Sequence, residues 1–103
     1  MDQPIEINEV TEPLASADRD FAALAKALAH PVRVAILRLL LQDGDCVNGT
    51  LVGRLPLAQS TVSEHLRILK SAGLIRVNEQ GPRVGYCIVP SALRRVKALL
   101  NAM

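Results

Sequence analysis

Apolar residues recur at helical spacing in several stretches of this chain, separated by proline and glycine breaks. The first stretch puts Phe21, Leu24, Ala25 and Leu28 on one face of a helix expected over about 17–29, with Ser16 as its N-cap. Pro31 suits the first turn of a second helix. There Val32, Ile36, Leu39 and Leu40 form one stripe, and Val34, Leu37 and Leu41 add another. A helix apolar nearly all round predicts the central buried element, ended by Gly44. Residues 45–47 predict a short strand. Asn48 can cap a short helix over 49–55, with Leu51, Val52 and Leu55 as its apolar positions and Pro56 as its breaker.

The next stretch, QSTVSEHLRILKSAGLI over 59–75, carries two different faces. Val62, Leu66 and Leu69 form an apolar stripe. Ser60, Ser63, Glu64 and Arg67 occupy the opposite arc, with Gln59 and Thr61 in the first turn. Gly73 stands where a helix-ending glycine belongs. Segments 74–78 and 84–89 then predict a hairpin joined by EQGPR. Pro90 ends its second strand, and Ser91 caps a last helix over about 92–101 with Leu93, Val96, Leu99 and Leu100 on its apolar face.

The predicted class is therefore mainly α with a small β-hairpin wing, an α+β winged helix-turn-helix. Residues 1–15, with two prolines and little periodicity, predict a flexible acidic arm. Residues 16–103 are expected to form one winged helix-turn-helix domain for DNA binding and dimerisation. Exposed helices usually fill their outer face with Lys and Glu. Short hydroxyls and an amide at a helix N-terminus can instead reach base edges and phosphates without holding the helix out of a DNA groove. Gln59, Ser60, Thr61 and Ser63 are the candidate readers, with Glu64 and His65 beside them. Arg67, Lys70 and Arg83 are candidates for the phosphate backbone.

Charge supports this picture. Among the first twenty residues six carboxylates face only Arg19, a net charge of −5, so the remaining chain carries +7 of the overall +2. A basic domain behind an acidic arm fits a polyanion-binding module, although such charges are also what a solvated surface carries.

At this point the chain resembles the ArsR/SmtB family. The resemblance rests on ALAHPVRVAILRLL (27–40), LPLAQSTVSEHLRILKSAGLI (55–75) and GPRVGYCI (81–88), and covers roughly residues 21–90. It implies a bacterial dimeric transcriptional repressor that binds a double-stranded operator. Many members release DNA on meeting a metal, a metalloid or an oxidant. The family's first and last helices pair across a two-fold axis, which assigns Phe21, Leu24, Leu28, Leu93, Val96 and Leu100 to the dimer interface.

The two familiar metal sites of that family are incomplete here. Cys46 matches the first thiol of a CVC motif, but Asn48 stands in the second position. The last helix offers Arg94, Arg95 and Lys97 where the other site needs His and carboxylates. The family pattern CxNG…CYC is matched by Cys46, Asn48, Gly49 and Cys87, with Gly85 in place of its middle cysteine. In a winged helix the short strand pairs with the returning wing strand, so Cys46 and Cys87 are expected to meet. They are then candidates for arsenite or another thiophilic ion, or for a reversible disulfide. Buried small hydrophobes are the plain alternative, since free cysteine often plays that part. No cofactor is implied with certainty.

Enzymatic readings find little footing. Ser60 and Ser63 lack a nucleophile-elbow pattern, there is no glycine-rich phosphate loop, and Asp43 and Asp45 flank a turn. His30 reads as a helix-boundary residue, and His65 as a partner for a phosphate or backbone carbonyl. The acidic N-terminus lacks a signal-peptide pattern and no apolar run suits a bilayer, so a reducing cytoplasm without membrane attachment is expected. A winged-helix protein-interaction module and a small thiol-redox protein remain the competing functions.

Overall fold

The computed structural model of the protein describes residues 12–42, 46–47, 54–79 and 85–103. Residues 1–11 of the predicted arm, 49–53 of the predicted short helix, and 80–84 at the hairpin tip, with Arg83, lie outside the described residues. Among the described residues four helices and three strands follow one another: α1 (Glu12–Leu28), α2 (Pro31–Gln42), β1 (Cys46–Val47), α3 (Gln59–Ser71), β2 (Ile75–Asn78), β3 (Gly85–Ile88) and α4 (Pro90–Asn101). Among the described residues no helix is long and apolar enough to cross a membrane.

The core is aliphatic, as a chain with one Phe, one Tyr and no Trp requires. Leu24 and Ala27 of α1, Ile36, Leu37 and Leu40 of α2, Val62, Leu66 and Leu69 of α3, and Leu74, Ile75 and Ile88 of the sheet form one buried cluster. Burial of each large aliphatic side chain is worth roughly 1.5–3 kcal/mol, so the three of α3 fix that helix firmly on the core.

The sheet order is β1-β3-β2, all antiparallel. β3 is therefore central, and β1 is an edge strand that ties the chain upstream of α3 to the wing. Cys46 lies directly opposite Cys87 and Val47 opposite Tyr86.

Two helix starts and one burial pattern differ from the sequence expectation. α1 starts at Glu12, so Ser16 stands inside the helix and does not cap it. α4 starts at Pro90, whose fixed φ and missing N–H suit the first helical turn, while Val89 is the uncapped N-cap residue and Ser91 lies within the helix. α2 is not buried all round. Ile36, Leu37 and Leu40 are buried, but Val34 is 41% and Leu41 57% exposed. A single layer of neighbours covers only one face of α2, and periodicity alone could not choose between its two stripes.

Gly73 behaves as expected. Its φ of +81° lies in the left-handed region. Its N–H donates to the Lys70 carbonyl, and the Leu74 N–H donates to the Leu69 carbonyl, both at 3.0 Å. This is a Schellman ending, completed by the burial of Leu69 and Leu74 together. It turns the chain from α3 directly into β2. A Cβ at Gly73 would meet nothing within 4 Å, so only backbone strain opposes a side chain. Gly73→Ala should cost about 1–2 kcal/mol in chemical denaturation, and Gly73→Asn less. Equal stability of all three proteins would contradict this ending.

Candidate nucleic-acid interface

α3 buries Val62, Leu66 and Leu69 and leaves Gln59, Ser60, Thr61, Ser63, Glu64, Arg67 and Lys70 exposed. The division follows from the spacing of the apolar residues, which leaves the polar ones no inward position. Ala58 is the N-cap residue and supplies no side-chain cap, and the first turn holds no carboxylate. The positive end of the helix dipole is thus neither capped by a side chain nor neutralised, in the manner of helix ends that meet phosphate. Thr61 and Val62 N–H groups are taken by the Ala58 carbonyl.

Further along the same face, Arg67 donates through Nε to Glu64 Oε1 at 3.0 Å and through Nη2 to Glu64 Oε2 at 2.5 Å. This bidentate pair lowers the Glu64 carboxyl below its ordinary value and raises Arg67. The pair fixes the direction of the guanidinium and partly cancels its charge. Lys70 in the last turn and Arg76 on β2 add exposed cations on the path toward the wing.

His65 differs from the other candidates. It is half-buried and faces inward. Arg33 Nη1 of α2 lies 3.2 Å from its Nδ1, and its ring centroid is 4.4 Å from that of His30. Neither this pairing nor the part played by Arg33 is among the expectations from sequence. Residue 65 lies far in sequence from 30 and 33, so only the packing of α2 against α3 could reveal the cluster.

Cys87 is fully buried on the central strand and is disulfide-bonded. Antiparallel partners lie about 4.5–5.5 Å apart at Cα, inside the span that a disulfide requires. Among the described residues no group of three or more His, Cys, Asp or Glu side chains could hold a metal ion.

α4 has no fully buried residue. Leu93 and Val96 pack on the edge of the core, Leu24 is buried, and Phe21 and Leu28 are half-buried. Leu100 is 55% exposed. Arg95 of α4 binds Asp20 of α1 at 2.6 Å, which ties the two terminal helices of one subunit together.

The chain matches a sequence profile described as "Bacterial regulatory protein, arsR family" over residues 30–77. It is 43% identical over 74 residues to the HTH-type transcriptional regulator CmtR of Mycobacterium tuberculosis, covering 72% of this chain and 62% of that protein. It is 30% identical over 101 residues to the biofilm growth-associated repressor of Agrobacterium fabrum, covering 96% of this chain and 86% of that one. Its fold is similar to the transcriptional repressor PagR of Bacillus anthracis, with a TM-score of 0.68, 32% identity and coverage of 82% and 98%. The chain belongs to the ArsR family of bacterial regulatory proteins. It spans 62% of the length of its CmtR relative.

Proposed function

We propose that this protein is a sequence-specific DNA-binding repressor that acts as a homodimer and lets go of its operator when its cysteines are oxidised. The observation that carries DNA binding is the outer face of α3. Its first turns present Gln59, Ser60, Thr61 and Ser63, small enough to enter a major groove, above an apolar stripe that cannot leave the core. Ser60 and Thr61 face the bases, and Arg67 and Lys70 face phosphates. The family relatives named as repressors support this reading. A protein-interaction module would not need the uncapped, carboxylate-free start of α3.

Ser60→Trp or Thr61→Trp changes only exposed positions, so the fold should survive. Binding to a duplex selected by the wild-type protein from a random pool should fall to the level of an unrelated duplex, at least about tenfold, with each ~1.4 kcal/mol of lost base contact accounting for one such factor. Wild-type affinity in both variants, or binding that ignores salt, would contradict it.

Dimerisation supplies the second half-site. Two copies of α3 related by a two-fold axis would fall on successive major-groove faces roughly 34 Å apart. The exposed apolar edge of α4 at Leu100 is the surface that a second subunit would cover. Leu100→Asp should leave the isolated subunit folded and shift sedimentation from dimer to monomer. A wild-type protein that sediments as a monomer at micromolar concentration would overturn the dimer.

The signal is assigned to Cys46 and Cys87. Their direct register on β1 and β3 supports a reversible disulfide between them. With hydrogen peroxide as oxidant, one thiolate attacks an oxygen and becomes a sulfenic acid, releasing hydroxide. The second thiol then displaces that oxygen as water, so two thiols and one peroxide give a disulfide and two waters. The bond staples the strand that leads into the helix-turn-helix onto the wing. Small shifts there move both sets of DNA contacts together. Peroxide should release the wild-type protein from the selected duplex and dithiothreitol should restore binding, while Cys46→Ser and Cys87→Ser should not respond. Ser variants that respond like the wild type would assign the signal elsewhere. Arsenite, tested in the same assay, distinguishes coordination by the two thiols from their oxidation.

A further inference from the structure

The chain has two histidines, and the fold brings them together. His30 lies in the link between α1 and α2, and His65 lies in α3. Their rings are tilted by 50°. Arg33 is the third member. Its Nε donates to the Ala27 carbonyl at 2.6 Å and its Nη2 to the Lys26 carbonyl at 3.3 Å, both in the last turn of α1. Its Nη1 meets His65 Nδ1 at 3.2 Å. One guanidinium thus fastens the C-terminal end of α1, where the helix dipole favours a cation, to the helix that reads DNA.

The protonation states follow from the partners. A guanidinium has no acceptor, so His65 Nδ1 must be unprotonated to receive Arg33. His30 Nδ1 accepts the Val32 N–H at 3.1 Å, which fixes its proton on Nε2 while the ring is neutral. A proton added to His65 Nδ1 removes the acceptor and sets a second cation against Arg33. The charged and titratable groups acting on His65 are His30 from the link, Arg33 from α2 and Glu64 from its own helix. Lys26 of α1 lends the cluster only its carbonyl. Glu64 alone would favour the imidazolium, and its carboxylate is already bound on both oxygens by Arg67.

We propose that Arg33 and His65 are positioning residues for DNA recognition, a latch that holds α3 in place while His65 is neutral and opens when His65 takes a proton. The latch rests on the reading of α3 as the recognition helix. Burial, then the charges of His30 and Arg33, lower the His65 pKa below its ordinary 6.5. For a group lowered on folding, the stabilising contribution is complete above 6.5 and is lost as the pH falls through the folded value. Acid should therefore weaken specific binding. A histidine that merely faced phosphate would do the reverse, because its added charge would strengthen binding to any duplex.

The test uses the full chain, the duplex selected by the wild type and an unrelated duplex, between about pH 5 and 8, where histidine is the side chain that titrates at its ordinary pKa. Wild-type preference for the selected duplex should fall about tenfold toward the acid end. In His65→Gln, whose Oε1 can still accept from Arg33 but cannot take a proton in this range, that pH dependence of the preference should be lost. Proton NMR of the two imidazoles, without DNA, should put the His65 midpoint below 6.5, and Arg33→Gln should raise it. A wild-type pH profile in His65→Gln overturns the latch, as does a His65 midpoint that Arg33→Gln leaves unmoved. A chain that binds neither duplex overturns the recognition-helix reading instead, and the NMR midpoints then decide the Arg33–His65 contact on their own.

Discussion

Everything that α3 offers to a partner depends on the burial of Val62, Leu66 and Leu69. These side chains lock into the layer formed by Ile36, Leu37 and Leu40 of α2 and by Leu74 and Ile75 of the sheet. The stripe leaves the helix one orientation. With it fixed, Gln59, Ser60, Thr61 and Ser63 face outward, so the chemistry of that surface is a by-product of the core. The same burial explains the Schellman ending at Gly73. Leu69 and Leu74 must both enter the core within five residues, and a left-handed residue is the economical way to reverse the chain there.

Around this anchor the fold adds three connections of different strength and chemistry. Arg33 reaches from α2 to a backbone carbonyl of α1 and to the His65 imidazole of α3. β3 joins β1 and β2, so the strand before the helix-turn-helix and the wing move as one sheet. Asp20 and Arg95 tie α1 to α4, but both side chains are about half exposed. Such an exposed pair is worth little in stability and serves mainly to set the relative position of two helices. The two proposed responsive features sit in the first two of these connections, while among the described residues the aliphatic core itself carries no titratable side chain.

Much of this was legible in the residues. The period of Val62, Leu66 and Leu69, the glycine at 73 and the short strand at Cys46 all signal their elements through local chemistry, and the pairing of Cys46 with Cys87 followed once a winged helix was assumed. What escaped the sequence was tertiary. Val34 and Leu41 have the same hydrophobicity as their buried neighbours, and only the number of packed layers decides that they face out. Ser16 and Ser91 are good cap residues in the wrong places: α1 continues upstream of Ser16, and Pro90 takes the first helical position. His30, Arg33 and His65 form no motif, because their meeting depends on how α2 crosses α3.

The central claim is that the polar N-terminal face of α3 is the surface that reads DNA, with the rest of the domain holding it in one orientation. The most direct measurement is a titration of the isotope-labelled protein with the selected duplex, followed by the backbone amide resonances. The account predicts that the largest changes fall on Gln59, Ser60, Thr61 and Ser63, with smaller ones at Arg67, Lys70 and the wing, and little change on the solvent face of α2 at Val34 and Leu41. Changes confined to α2 or α4, with those four amides unmoved, would contradict it.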